Sequence, residues 1–141
     1  MFEEVSTEFF IPAKVTDLVL ALPIGRFNSV GSRANSYYLN EHVGRSLANA
    51  EGKKLPSKVV LGSDEEEADA PAAGWFKSLL WSPAGLVIND LTLTKRAQEL
   101  INNREYIYFA PVFYADSGVP RELIGLVLTN NPHLRHRQYG R

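Results

Sequence analysis

Residues 106–132 read YIYFAPVFYADSGVPRELIGLVLTNNP, and this stretch decides the fold. Its first part, from Tyr106 to Ala115, is an apolar and aromatic run with the composition of a half-buried β-strand. Asp116, Ser117 and Gly118 supply turn chemistry, because two side chains can bond the local backbone and glycine tolerates a positive φ. A second apolar run, Leu123–Leu128, follows. The stretch therefore predicts an antiparallel hairpin.

Two prolines constrain how this hairpin can pair. Pro132 ends the second strand, since proline has no N–H to donate to a neighbouring strand. Pro111 lies inside the first strand, where the same property predicts either an open edge or a bulge.

The composition limits the classes of protein to which the chain can belong. A chain of 141 residues with 45% apolar residues is long enough for one globular domain, which we assign to residues 1–134, followed by a basic C-terminal tail over 135–141. A net charge of −1 gives no reason to expect a nucleic-acid partner. The absence of cysteine excludes disulfides, a cysteine nucleophile and thiolate zinc sites. No apolar run approaches the roughly 20 residues of a membrane span, so no membrane association is expected.

The rest of the chain alternates short strands with two helices. The patterns predict strands over Val15–Leu22, Lys58–Leu61, Trp75–Trp81 and Leu86–Leu93, a loop over Gly25–Ser36, and helices over Tyr37–Glu51 and from the N-cap Thr94 to Asn102. Residues Met1–Lys14 are expected to form a short strand or a docking arm. The predicted fold class is α+β, a mostly antiparallel, barrel-like domain with about two flanking helices.

Few residues suggest chemistry on their own. His42 is expected on the surface of the first helix, while His133 and His136 fall in a tail that looks too mobile to hold a catalytic geometry. No metal or other cofactor is expected. The two segments with concentrated charge are instead candidate interfaces, and their opposite charges would permit head-to-tail self-association. The residues concerned are Asp64, Glu65, Glu66, Glu67 and Asp69 in the acidic run, with Arg135 and Arg137 in the tail. The edge near Pro111 is a further candidate surface.

Three segments together resemble a known family. These segments are APAAGWFK over residues 70–77, TKRAQELINNREYIYFAPVF over 94–113 and LVLTNNP over 126–132. They are similar to the Mu-type phage prohead proteases, also described as Mu-like prophage I proteins. The signature residues are Gly74, Trp75, Phe76, Pro111, Thr129, Asn130, Asn131 and Pro132. The resemblance implies an assemblin-like barrel and a role in capsid maturation as a serine protease.

The catalytic positions implied by the resemblance are not retained. The family's serine precedes Pro-Val-Phe in the long strand, and here that position is Ala110. A histidine of the family shortly before Leu-Thr-Asn-Asn-Pro corresponds to Gly125, and another corresponds loosely to Asp64. A methyl group cannot act as a nucleophile, and loss of one member of such a unit commonly lowers the rate by about 10⁴- to 10⁶-fold.

The sequence therefore predicts a non-catalytic capsid assembly or head accessory protein that acts by protein–protein binding. Its expected partner is the major capsid protein or another head protein, or a second copy of itself, in the host cytoplasm during assembly or in the virion head. One alternative is an active protease that uses Ser63, Ser78, Ser117 or Thr129 with His42 as base, and another is an engineered inactive variant of an active enzyme. If the transfer of positions is right, Ala110 and Gly125 lie close together on neighbouring strands, with the Asp64 region within reach of both.

Overall fold

A computed structural model of the chain describes residues 6–31 and 35–137. The strands are β1 (Thr7–Phe9), β2 (Ile11–Pro12), β3 (Val19–Pro23), β4 (Gly25–Ser29), β5 (Ser36–Leu39), β6 (Ser57–Leu61), β7 (Gly74–Phe76), β8 (Leu79–Ser82), β9 (Gly85–Ile88), β10 (Thr92–Leu93), β11 (Tyr108–Asp116), β12 (Val119–Thr129) and β13 (Arg135–Arg137). The helices are α1 (Glu41–Glu51) and α2 (Lys95–Asn102), and a 3-10 turn spans Gly62–Asp64. This β-rich arrangement with two helices confirms the α+β class.

The predicted hairpin is confirmed as β11 and β12, which pair antiparallel from Tyr108 opposite Thr129 to Asp116 opposite Val119. Ser117 and Gly118 form the turn with φ angles of 52° and 80°. The pairing shifts register twice, between Val112 and Phe113 and between Tyr114 and Ala115. These bulges increase the local twist of the long strands, which suits a sheet that curls into a partial barrel.

The prediction that the first strand is an open edge at Pro111 or carries a bulge is confirmed, because the edge is open at Pro111 and the pairing shifts register just after Val112. On one side Pro111 lies opposite Leu126, and the register shifts begin only after Val112. On the other side β2 pairs with Tyr108 and Phe109, and β13 pairs with residues 112–114. Pro111 thus occupies the gap between two short neighbours, where its missing N–H leaves no described partner unsatisfied.

The hairpin is the centre of a seven-stranded sheet with the order β10-β7-β6-β12-β11-β13, in which β2 also pairs with β11. Strand β6 runs parallel to β12, and β13 runs parallel to β11. Two three-stranded sheets, β1-β4-β5 and β3-β9-β8, pack against it. The main core between them contains fully buried aromatic side chains, Phe27, Phe76, Phe109 and Phe113.

Five of the sequence-based elements are corrected by the structure. The strand predicted over Val15–Leu22 is β3 and begins only at Val19. The segment predicted as a loop over Gly25–Ser36 contains β4 and the first residue of β5, because Phe27 is drawn into the core between Phe9 and Tyr37. Burial of a large aromatic side chain outweighs the local preference of glycine, serine and asparagine for turns.

The first helix begins later than predicted, at Glu41 rather than Tyr37. Residues Tyr37–Leu39 belong to β5, and Asn40 is the N-cap: its side-chain oxygen accepts a hydrogen bond from the Val43 N–H at 2.9 Å. Asparagine is among the best N-cap residues, so the boundary was present in the sequence as a capping signal. Gly52 is the C-cap of this helix, and the predicted N-cap Thr94 of the second helix is confirmed.

The predicted strands Trp75–Trp81 and Leu86–Leu93 each divide between two sheets. The Asp90 carboxylate accepts hydrogen bonds from the N–H groups of Lys77 and Ser78, at the point where the chain leaves β7 and enters β8. Asp90 itself lies between β9 and β10. One carboxylate therefore stabilises both places where the chain passes from one sheet to another, between β7 and β8 and between β9 and β10. The apolar pattern of each strand taken alone does not reveal this contact.

The first three residues of the predicted basic tail, Arg135–Arg137, form β13, whereas residues 138–141 lie outside the described residues. At the other end, the segment predicted as a short strand or a docking arm contains the short strands β1 and β2, which pair with β4 and β11. Residues 1–5 lie outside the described residues.

The contact between α1 and β8 gives a test of the packing. A Cβ atom added at Gly44 would lie 2.1 Å from Cε3 of Trp81. We expect Gly44→Ala to lower the free energy of unfolding by up to about 2 kcal/mol, because an overpacking cost of about 1–3 kcal/mol outweighs the gain of about 1 kcal/mol from helix propensity. Urea denaturation measures the difference.

Gly52→Ala is the matched control for this experiment. Gly52 ends the same helix with an α-helical φ of −64°, and an added Cβ would meet nothing closer than 3.8 Å. Its stability should stay the same or rise by about 0.4–1 kcal/mol. An increase in stability for Gly44→Ala would show that the packing of Trp81 is wrong.

Candidate functional site

Ala110 and Gly125 lie on one face of the central hairpin. Ala110 is opposite Val127 and Val112 is opposite Gly125, so the two positions are diagonal neighbours on adjacent strands. Residues in register share a face of the sheet, and diagonal neighbours have Cα atoms about 7–8 Å apart. The structure therefore brings these two sequence-predicted positions together.

The pairing extends this face across most of the sheet. Gly125 is in register with Lys58 on β6, and Lys58 is in register with Trp75 on β7. On the other side, Val112 is in register with Arg135 on β13. A single cross-strand row therefore runs Arg135, Val112, Gly125, Lys58, Trp75, with a cation on each side of the Val112–Gly125 pair. We call this surface of the sheet the outer face.

The outer face is covered rather than open. Ala110 and Val127 are completely buried and Val112 is nearly so, yet none of them belongs to the main core cluster. Ala70, which directly follows the acidic run, is also buried and lies outside that cluster. These side chains thus form a second, smaller apolar layer on the outer face.

Two polar contacts hold the acidic run against this face. Arg135 forms a bidentate pair with Glu65, with Nε–Oε2 and Nη2–Oε1 distances of 2.9 and 3.1 Å. The Lys58 ammonium group donates to the carbonyl oxygen of Ala70 at 2.6 Å. The side chains of Arg135 and Glu65 are only 12% and 20% exposed, so this pair is shielded from solvent far more than a typical surface ion pair.

Asp64 does not belong to this row. It lies in the 3-10 turn and lines a cavity of about 20 Å³ with Leu61, with residues 71–73 and with the start of α2. Its neighbour Glu65, rather than Asp64, reaches the cations of the outer face.

The candidate charged interface is partly used within the chain itself. Glu65 and Arg135, which the sequence offered as complementary surfaces for self-association, bind each other in one molecule. The other candidates, Glu66, Glu67, Asp69 and Arg137, remain exposed. Among residues 6–31 and 35–137, no group of three or more His, Cys, Asp or Glu side chains is arranged to hold a metal ion.

The signature Gly74-Trp75-Phe76 positions β7 between two neighbours. A Cβ at Gly74 would lie 2.5 Å from the carbonyl oxygen of Thr92, so glycine allows β10 to approach closely. Phe76 is buried in the main core, whereas Trp75 is 45% exposed on the outer face.

The signature Thr129–Pro132 fixes the path from β12 to β13. The Asn130 side chain accepts from the Ile107 N–H at 3.1 Å and donates to the Glu105 carbonyl at 3.0 Å, which ties it to the chain entering β11. Thr129 Oγ1 accepts from the Asn131 N–H at 3.0 Å. The signature therefore fixes the turn that places Arg135 on the outer face.

The histidines are placed differently from one another. His42 is exposed on α1, as predicted. His136 was expected in a mobile tail, but it is stacked on Phe113 and its Nδ1 is 3.2 Å from the Tyr37 hydroxyl. This environment was not predicted, because it depends on the parallel pairing of β13 with β11, which no local sequence pattern indicates.

The hydroxyls of the protease alternative have other partners or positions. Ser63 Oγ accepts from the Tyr106 hydroxyl at 3.3 Å, and Thr129 holds the turn described above. Thr129 does share the outer face with Ala110, two residues farther along the strand from Val127. Among the described residues, no hydrogen bond connects His42 with Ser63, Ser78, Ser117 or Thr129.

Lys58 was missed as a site residue by the sequence analysis, which assigned it only to a strand. The alternation in Lys58–Leu61, with Val59 and Leu61 buried in the main core, puts Lys58 on the opposite face. Its place beside Gly125 follows only from the parallel pairing of β6 with β12.

Replacing Asn130 tests the role of the signature turn. We expect Asn130→Ala to lower the free energy of unfolding by about 1–2 kcal/mol, because two hydrogen bonds to the entry of β11 are lost. Asn131→Ala should cost less, since its side chain accepts only one bond, from the His133 N–H at 3.4 Å. Equal losses in chemical denaturation would contradict the assignment.

Tyr37 gives a prediction for the pH dependence of stability. Burial raises the pKa of the Tyr37 phenol above its ordinary value of 10.0. A raised pKa in the folded state contributes stability that is present below pH 10.0 and is lost as the pH rises through the folded-state value. The free energy of unfolding should therefore fall in this alkaline range, and Tyr37→Phe should fall less steeply. Tyr38→Phe, at an exposed neighbouring position, should keep the wild-type slope in urea titrations.

The comparisons with known proteins agree with the resemblance read from the sequence. The family model for the Mu-like prophage I protein, N-terminal domain, matches residues 19–138. The searches of curated proteins and of solved structures found no significant match. Among the described residues, neither helix is long and apolar enough to cross a membrane. The match extends from β3 through β13 and includes the whole outer face, so the chain belongs to the family of Mu-like prophage I protein N-terminal domains.

Proposed function

We propose that this protein is a non-catalytic component of phage or prophage head assembly, built on a prohead-protease-like fold and acting by binding other head proteins. The observation that carries the proposal is the covered outer face. There Ala110 and Gly125 lie diagonally on adjacent strands between two cations, where the family resemblance places a serine and a histidine.

Serine-type hydrolysis needs three things that this face does not combine. It needs a hydroxyl nucleophile, an imidazole within about 3 Å of it, and space for a peptide carbonyl beside both. The register partners of Ala110 and Gly125 are apolar side chains, Lys58 and, through Val112, Arg135. The hydroxyl oxygen of Thr129, two residues beyond Val127 on β12, accepts a hydrogen bond in the turn after β12.

The access to this face also argues against turnover. A peptide substrate would need to displace the acidic run, which is bound at both ends to the cations of the face. A surface already filled by the chain's own residues is suited to packing or regulated binding, and less to repeated substrate exchange.

The fold supports the same proposal. We assign the partial barrel to the assemblin-like architecture of prohead proteases, on the basis of the family match and of the curled seven-stranded sheet. The partner we propose is the major capsid protein or another head protein, met in the host cytoplasm during assembly or within the virion head. Self-association is a second mode of binding, but the Glu65–Arg135 pair is used within the chain and does not favour it.

Incubation with the head proteins of a related phage tests this function. We expect the wild-type chain to form a complex with the major capsid protein that is detectable by pull-down and size-exclusion chromatography, and to leave the protein uncleaved on gels. Ala110→Ser should remain inactive and unlabelled by a serine-reactive probe, because a hydroxyl without an imidazole is a poor nucleophile.

Two results would overturn the proposal. One is cleavage of the capsid protein that is lost in a folded Ser63→Ala, Ser78→Ala, Ser117→Ala or Thr129→Ala variant, which would establish the protease alternative. The other is the absence of binding to every head protein tested.

A further inference from the structure

The segment Glu65–Ala70, which we call the acidic loop, crosses the outer face. Its first residue binds Arg135 on β13 and its last residue accepts from Lys58 on β6. Strands β11 and β12 lie between these two contacts in the order of the sheet. The acidic loop therefore spans the Val112–Gly125 pair.

The acidic loop is folded rather than extended. Glu65 and Glu66 lie in one turn and Ala68 and Asp69 in a second, and the Glu67 N–H donates to the Asp64 carbonyl oxygen at 3.0 Å. The long side chains of Arg135 and Lys58 reach the two ends of this folded loop from their strands. The loop therefore presents one carboxylate and one carbonyl oxygen to the two cations of the face.

The strands between the two cations carry an apolar strip on the outer face. Ala110, Val112 and Val127 form this strip, and Gly125 contributes no side chain. Ala70, at the end of the loop, is only 4% exposed. The face therefore offers apolar surface between two positive charges.

Charge decides the kind of segment that fits. Arg135 donates to Glu65 and also to the carbonyl oxygens of Asn131 and His133, while Lys58 donates to the Ala70 carbonyl. Any segment that displaces the loop removes the Glu65 carboxylate from Arg135, and an unpaired, largely buried guanidinium group is costly. The replacement must therefore bring a carboxylate to Arg135 and an oxygen acceptor to Lys58.

We propose that the outer face is a binding site for an acidic segment of a partner protein, and that the acidic loop occupies this site in the free chain as an internal ligand. The partner segment carries a carboxylate followed by small apolar residues, in the manner of the loop itself. This inference rests on the proposed binding function and specifies the surface and the partner's chemistry. The loop lowers the apparent affinity for the partner, because only molecules with a displaced loop can bind.

The test uses a fluorescently labelled peptide with the sequence of residues 64–71, DEEEADAP, and fluorescence anisotropy with the full chain. Glu65→Gln weakens the internal contact, so we expect this variant to bind the peptide about tenfold more tightly than the wild-type chain. Glu67→Gln removes the same charge at an exposed position of the loop and should change the affinity much less. Equal affinities for wild-type and Glu65→Gln chains, or an equal gain for Glu67→Gln, would overturn the proposal.

The cations are tested in the Glu65→Gln background. We expect Arg135→Gln to reduce the tighter binding about tenfold or more, since the charge-assisted contact to the peptide is lost. Arg137→Gln, at an exposed position of the same strand, should have little effect. Similar losses for both arginines would reveal only general charge attraction, and would contradict a specific site.

A second variant and a separate assay keep the outcomes distinct. If Arg135→Gln proves unfolded by circular dichroism, Lys58→Met examines the other end of the site and should also weaken binding. Capsid-protein binding that survives loss of Lys58 and Arg135 would refute this surface while leaving the proposed function intact. Peptide binding without capsid-protein binding would support the surface and refute the head-protein partner.

Discussion

The register of β11 against β12 is the constraint on which the rest of the structure depends. A one-residue slip of β12 against β11 would move Leu126 and Leu128 from the main core to the outer face, and a slip of β11 would do the same to Phe109. Burial of these large side chains therefore fixes the pairing. With that register set, Ala110 and Gly125 share the opposite face. The two bulges lie beyond these positions, where Ile124 and then Arg121 are left without a partner across the hairpin. The curvature of the sheet is thus produced beyond the two positions rather than at them.

The outer face depends on the core face in a second way. Strands β6 and β13 both join the hairpin in parallel, one on each side, and each brings a basic residue into the same row. Val59 and Leu61 must be buried in the main core, so Lys58 must point outward, and His136 must pack on Phe113, so Arg135 must point outward. The two cations are therefore held in place by apolar and aromatic contacts on the other side of the sheet. Such placement is preorganised and does not depend on the acidic loop.

The sequence was most informative where one residue type has one physical role. Gly118 and Ser117 identified the hairpin turn, Thr94 identified the start of α2, and Pro111 identified an open edge. It was least informative where distant residues act together. Asp90 divides two predicted strands through hydrogen bonds to residues 77 and 78. Asn40 separates β5 from α1, although residues 37–39 fit the apolar spacing of the helix that follows. For the candidate site, Ala110 and Gly125 followed from similarity, but Lys58, Glu65 and Arg135 became one unit only through parallel pairing. Parallel strands are joined by long connections, so their register cannot be read from a local pattern.

The packing around Gly125 bears on the histidine that the family resemblance implies at this position. A Cβ here would lie 3.1 Å from the carbonyl oxygen of Lys58, closer than a side chain normally packs, so an imidazole would require β6 to shift. A serine in place of Ala110 would add a single oxygen to an existing Cβ and leave the strand unchanged. The two positions therefore place different demands on the backbone, since any side chain at the second requires a neighbouring strand to move. This packing supports the proposal of binding without turnover, because Arg135 on one side of the Val112–Gly125 pair holds the Glu65 carboxylate and Lys58 on the other holds a carbonyl oxygen.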